Sequence, residues 1–404
     1  VPGDQDHLEA SAAAKPGDPS HWHDLVRGLL EDDRPDEALG VIDTALREGG
    51  LSDAIVFALL MDKGRAYRAL QDLGGASDAF AAALAIRPED EAALEQISLT
   101  LMTSKRFAEA TTYHARLHAL QARQLPQRLT DGLAEIRRRT EAIALDAPAV
   151  AWAWEVADQA AWDRDAWQAA AAWGQEARVL LRRWWQTASP QQVGQLAELV
   201  VPPDLSAFRA AALEHSACIL VGAHVGPTAV PVHLFQRANW PFRTLGTADR
   251  DRVYGETMMP VFTNSITTMR TIVTELKSGT TIGFMADAPT ARDRLVVEFL
   301  GRTVELPLQI PKLIQRYATA SFWCCPLWRQ GRVIIEVARL PDPLPDEPRQ
   351  AWCERWFAAY LARLEPVMRG HPENLGLFSG IWSNVNAAAL RRRRQGDSVR
   401  RAKD

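Results

Sequence analysis

Two hydrophobic periods divide the chain. Over residues 19–120, apolar and small residues recur at steps of three and four, the pattern of amphipathic helices. From Leu205 onward, short apolar and β-branched runs alternate with helical segments. Leu205 to His215 predicts a helix, Cys218 to Val221 a strand, and the segment up to about Ala238 a second helix. A strand follows at about 242–247, a helix at roughly 264–277 closing on Gly279, and the strand TIGFMAD ending at Asp287. VVEFLGRTVEL predicts a hairpin around Gly301-Arg302, and PLQIPKLIQRYA a helix. ASFWCCPLW reads as a buried strand and GRVIIEVARL as a further one. A last helix carries Trp352, Trp356, Tyr360 and Leu364 on one face. Such alternation predicts an α/β C-terminal domain, a mainly parallel sheet flanked by helices, preceded by an all-α domain.

The helical half repeats. Gly64, Tyr67, Ala76, Phe80, Ala83 and Pro88 fall on the spacing of a tetratricopeptide repeat, a helix-turn-helix of 34 residues. Small residues let the two helices approach, aromatic rings fill the groove, and the proline ends the second helix. Trp22, Leu25, Leu29, Ala38, Ile42 and Ala45 make an earlier unit; Leu94, Ile97, Leu101 and Ala110 make a later one, with His114 at an aromatic position. The expected layout is a flexible leader at 1–18, tetratricopeptide-like helices at 19–120, a Trp-rich helical connector at 121–200, the α/β domain at 201–388 and a basic flexible tail at 389–404.

The connector holds seven of the fourteen tryptophans, between Trp152 and Trp185. Trp173, Ala177, Leu180 and Trp184 line one helical stripe, with Arg182 opposite. That stripe suits either a packing face or a membrane interface. The tail LRRRRQGDSVRRAKD carries seven Lys or Arg and reads equally as a solubilising tail or a contact for an anionic leaflet. A formal net charge of −4 gives no global pull toward nucleic acid. The four cysteines lie in apolar surroundings without zinc-like pairing, and no apolar run has the roughly 18–20 residues of a membrane span. A cytoplasmic location, with peripheral contact at the inner face of the cytoplasmic membrane, is the expectation.

Candidate chemistry centres on CILVGAHVGPTAVPVHLFQRA, residues 218–238. His224 follows a strand and precedes a helix, where catalytic groups of α/β proteins collect, and Asp287 ends another strand. Glu256 is a second candidate carboxylate, while His233 reads as structural.

Four segments in order resemble the lysophospholipid-acyltransferase superfamily, in particular the late acyltransferases of lipid A biosynthesis. They are LEHSACILVGAHVG, TIVTELKSGTTIGFMAD, VEFLGRTVELPLQIPKLIQRYATASFWCCPLWRQGRVIIEV and HPENLGLFSGIW, within about residues 175–388. The resemblance implies an acyltransferase-like fold and acyl transfer from an acyl-CoA or acyl carrier protein thioester to a hydroxyl of a glycolipid or saccharide. It implies no tightly bound cofactor and no metal. His224 matches the family's general base. The family's acid five residues later is missing, since Ala229 stands there, and Asp287 is the candidate to supply that charge or to contact the acceptor. Gly226, Thr228, Arg250, Phe299, Gly301 and Arg302 are the expected substrate contacts. The repeats would dock an acyl carrier protein or a biosynthetic complex. The missing acid leaves two alternatives: a catalytically degenerate fold serving as a binding scaffold, or the same fold transferring a different group.

Overall fold

The computed structural model describes residues 20–140, 145, 148–215, 217–237, 240–246, 258–260, 266–287, 293–377 and 379–382. These fall into two compact units that divide after Arg123, the first helical and the second mixed α/β.

Among the described residues the first unit is a succession of six helices: α1 (Ser20–Glu31), α2 (Pro35–Glu48), α3 (Asp53–Ala69), α4 (Leu73–Ile86), α5 (Glu91–Thr103) and α6 (Phe107–Gln124). Asp72 and Asp90 cap α4 and α5 by accepting from the backbone N–H of Gly75 and Ala93. The repeat positions are where the helices meet. Gly64 faces the Phe80 ring so closely that a Cβ there would stand 2.4 Å from a ring carbon. Ala76, Phe80 and Ala83 are fully buried with Leu94, Ile97, Leu101 and Ala110 in one core, and Ala38, Ile42 and Ala45 lie in a second with Val26 and Leu29.

The second unit opens with α7 (Leu129–Thr140), α8 (Pro148–Val156), α9 (Arg164–Thr187) and α10 (Pro190–Leu199). Ser189 and Gln192 form a reciprocal capping box that starts α10. The tryptophan stripe of α9 is a packing face: Trp167 and Trp184 are fully buried, and Trp173 packs edge-on against Trp328 with ring centroids 4.8 Å apart. No described helix is long and apolar enough to cross a membrane.

The α/β portion follows as β1 (Val200–Val201), α11 (Ser206–His215), β2 (Cys218–Gly222), α12 (Ala229–Arg237), β3 (Phe242–Gly246), β4 (Met258–Pro260), α13 (Ile266–Lys277) and β5 (Thr281–Met285). It continues with β6 (Arg294–Phe299), β7 (Arg302–Pro307), α14 (Gln309–Tyr317), β8 (Ala320–Arg329), β9 (Arg332–Arg339) and α15 (Arg349–Gly370). Seven strands form one sheet in the order β1-β9-β8-β2-β5-β3-β4, parallel at every pairing except the antiparallel β8–β9. The short pairing of β1 with β9 extends the sheet beyond the strands that the periodicity marks. β6 and β7 stand apart as the two-stranded antiparallel hairpin.

Every residue of β2 is buried, which is why this strand is apolar throughout rather than alternating. β2 is flanked by β8 and β5, both parallel to it. α15 covers the sheet with Trp352, Trp356, Tyr360 and Leu364, all fully buried. Two of its polar atoms reach strand groups: Trp356 Nε1 donates to Ser321 Oγ at 3.1 Å, and the Tyr360 hydroxyl donates to the Gly222 carbonyl at 3.0 Å.

Candidate functional site

Strand register sets the site. Gly222 at the end of β2 pairs with Met285 at the end of β5. Two residues beyond each lie His224 and Asp287, so parallel pairing brings both to the same level at the sheet's carboxyl edge. His224 Nδ1 lies 2.7 Å from Asp287 Oδ1, and the His224 backbone N–H donates to Asp287 Oδ2 at 2.9 Å. The Ile381 N–H adds a third donor to the carboxylate, reaching that same Oδ2 at 3.3 Å. A carboxylate held this way accepts from Nδ1–H, which leaves Nε2 as the imidazole's remaining acceptor when the ring is neutral and a donor when it is charged.

The two partners differ in exposure. The Asp287 side chain retains 2% of its accessible surface and that of His224 30%. Burial opposes the charged imidazolium, but the charge and hydrogen bond of Asp287 outweigh it and raise the His224 pKa above its ordinary value; Arg178 pulls the other way. Burial likewise opposes the Asp287 carboxylate, and the His224 charge with the hydrogen bonds from His224 prevail, holding its pKa below the usual value.

The backbone around the dyad demands glycine in three places. Gly226 sits at φ +57°, donates its N–H to the Asn374 carbonyl at 2.7 Å, and has no room for a Cβ, which would stand 1.8 Å from the Pro326 oxygen. At Gly376 a Cβ would lie 1.9 Å from the His224 carbonyl oxygen. Gly380, at φ +63°, would place one 2.1 Å from Asp287 Oδ2. The segment HPENLGLFSGIW is therefore laid against the dyad from the side, and buried Asn374 fastens it to β8. Asn374 Oδ1 accepts from the Trp328 N–H at 2.7 Å, and its Nδ2 donates to the Trp328 carbonyl at 3.2 Å.

Arg178 borders the dyad and escaped the sequence reading, as did the contacts that Asn374, Gly376, Gly380 and Tyr360 make around it. Arg178 arrives on α9, where Gly174 one turn earlier lets the helix come close to the Glu373 backbone; a Cβ on Gly174 would stand 2.0 Å from the Glu373 carbonyl oxygen. The guanidinium reaches over that contact, with Nη2 donating to the Asn374 carbonyl at 3.3 Å. A signal was available: Gly174, Ala177, Arg178 and Leu181 share the buried side of α9, whereas the singled-out Arg182 is exposed.

Gly226 and Thr228 continue directly from His224, and the Thr228 N–H donates to the Gly226 carbonyl at 3.1 Å. Phe299, Gly301 and Arg302 sit on the β6–β7 hairpin, whose turn residues Leu300 and Gly301 both have positive φ. Trp152 Nε1 donates to the Leu300 carbonyl at 3.1 Å, and the Trp152 ring packs on Trp382 at 4.8 Å. Arg302 is engaged by Glu155 at 2.8 Å and lies over the Trp152 ring. Arg250 and Glu256 lie outside the described residues, as does the side chain of His233.

No family model matches the chain. Over 280 residues the chain is 28% identical to the Vi polysaccharide export protein VexE of Salmonella typhi. The match takes in 66% of this chain and spans 42% of that protein's length. This similarity overturns the expectation of a lysophospholipid acyltransferase of the lipid A type, and with it thioester-to-hydroxyl acyl transfer as the activity and an acyltransferase as the enzyme class. The family's acid position gives the same correction its physical side: Ala229 starts α12 with no carboxylate, and the His224 partner comes from a different strand. Among the described residues, no group of three or more His, Cys, Asp or Glu side chains is placed to hold a metal ion.

Proposed function

We propose that this chain is a saccharide-binding component of a polysaccharide export system, a binding scaffold whose contact point is the His224–Asp287 dyad and the Gly226–Thr228 loop. The observation that carries this reading is the similarity to a polysaccharide export protein. The dyad supplies the place: a partly exposed imidazole, locked through Nδ1, offers Nε2 to a sugar hydroxyl in a fixed direction. Asp287, with its oxygens occupied by His224 and Ile381, serves to orient the ring. On this reading the first unit's helix pairs are tetratricopeptide-like and dock another component of the same system.

The test is equilibrium binding of an oligosaccharide, measured by calorimetry with the full chain and with His224→Ala. A hydrogen bond in a desolvated site contributes about 0.5–1.5 kcal/mol, so His224→Ala should weaken binding about two- to twelvefold, measured at a temperature where circular dichroism shows the variant folded. Absence of binding by the full chain, or equal binding by the variant, overturns the reading. A new covalent product on the saccharide would instead favour a domain of this shape that transfers a group other than acyl.

A further inference from the structure

The guanidinium nearest the dyad is not paired by contact with a carboxylate among the described residues. Asp287 spends Oδ1 on the His224 ring and Oδ2 on two backbone N–H groups. Arg178, on α9, makes no contact ion pair with it or with any other carboxylate among the described residues, and donates instead to the Asn374 carbonyl. Its Nε is buried without a hydrogen-bond partner among those residues. Gly376 is what lets Arg178 and the His224 backbone come together: a Cβ there would stand 2.9 Å from Arg178 Nη1 and 1.9 Å from the His224 carbonyl oxygen. Guanidinium, imidazole and carboxylate thus meet at one sheet edge. One full positive charge balances Asp287, and protonation of His224 adds another.

Resting on the saccharide-binding reading above, we infer that Arg178 and His224 form a subsite for an oxyanion carried on the saccharide, a sugar carboxylate or a phosphoryl group. Arg suits this task because its planar donors meet oxyanions in a fixed geometry, and charge-assisted hydrogen bonds are stronger than neutral ones. Arg178 is held by α9, a helix of 24 residues in which Trp167 and Trp184 are fully buried, so its stem is fixed before any ligand arrives. Burial lowers its pKa to about 10, with Asp287 countering and Arg182 reinforcing the shift, which still leaves the guanidinium charged at neutral pH.

Calorimetry on the full chain with three probes decides the matter: an oligoglucuronate, its carboxyl-reduced neutral counterpart, and glucose 1-phosphate. An anionic probe should bind about tenfold more tightly than the neutral one, the fold-change that one charged hydrogen bond brings. Arg178→Gln should erase that preference, and Arg178→Lys should retain part of it. Preference for the uronate names a sugar carboxylate as the natural group, and preference for the phosphate a phosphoryl group. Equal affinity for all three probes overturns the anion subsite while leaving saccharide binding in place. Binding of none overturns both. A purely structural Arg178 is separated by the His224 ring resonances: loss of the cation in Arg178→Gln should move the imidazole titration upward, and an unmoved titration would sink the inference. If Arg178→Gln does not fold, the wild-type preference and Arg178→Lys decide alone, and no preference in wild type overturns the proposal.

Discussion

His224 is pulled in two directions. Burial and Arg178 disfavour the charged ring, while Asp287 favours it through charge and a 2.7 Å hydrogen bond. Removing the carboxylate leaves the opposing influences in command. Asp287→Asn should therefore drop the His224 titration from above the ordinary 6.5 to below it, read from the ring resonances. The same substitution carries a stability signature. The His224 contribution is complete below its unfolded value near 6.5 and is lost as pH rises through the raised folded value. The Asp287 contribution is present above its unfolded value near 3.8 and is lost as pH falls through the lowered folded value. The difference in unfolding free energy between wild type and Asp287→Asn should thus be widest between about pH 4 and 6.5 and narrow above it. A difference that widens as pH rises above about 6.5 would contradict the coupling. His224 and Asp287 were both legible in the sequence because each follows an apolar run that ends at a turn. Arg178 and Asn374 were not, because nothing local shows that residues 46 positions before and 150 positions after His224 lie beside the loop it begins.

At the level of elements, periodicity located the helices and strands well because burial here is one-sided for helices and complete for the central strands. Strand order is a different matter. β3 follows β2 in the chain, yet β5 lies between them in the sheet, and that insertion is what sets Asp287 beside His224. Side-chain period carries no record of which strand is the neighbour, so the pattern marks both residues of the dyad without showing that they meet. The two-residue strand β1 is too short to show any period. The helical repeat offers a sharper test, because its spacing predicts a close contact at one residue. Gly64 lies within α3, where Ala is ordinarily better by about 1 kcal/mol. Here a Cβ would meet three ring atoms of fully buried Phe80 at 2.4–2.7 Å. Overpacking of that kind costs about 1–3 kcal/mol, so Gly64→Ala should destabilise the first unit despite its better helix propensity. Helical circular dichroism during chemical denaturation reads the result, and a raised midpoint would show that Phe80 moves aside at no cost.

For the whole molecule, the two-part plan of helices followed by α/β sheet was visible from the switch in period near Leu205, but the identity of the relative was not. Motif order pointed to acyl transfer, an expectation that the similarity to a polysaccharide export protein overturns. A fold hosts many activities, so segments that build strands, turns and a covering helix transfer between proteins more readily than chemistry does. The described core residues of the first unit lie in clusters of their own, one around Phe80, Ile97 and Ala110 and one around Val26, Ile42 and Leu59. The dyad, Arg178 and the Asn374 segment all belong to the second unit. A fragment of residues 20–123 should therefore fold alone with native-like helical dichroism and a cooperative transition, while showing no saccharide affinity. A fragment of residues 124–404 should retain the affinity of the full chain within about threefold, a difference of roughly 0.6 kcal/mol. Calorimetry on both fragments checks the assignment. Affinity that follows residues 20–123, or vanishes from both halves, would move the saccharide site away from the sheet edge and leave the dyad without the role given to it.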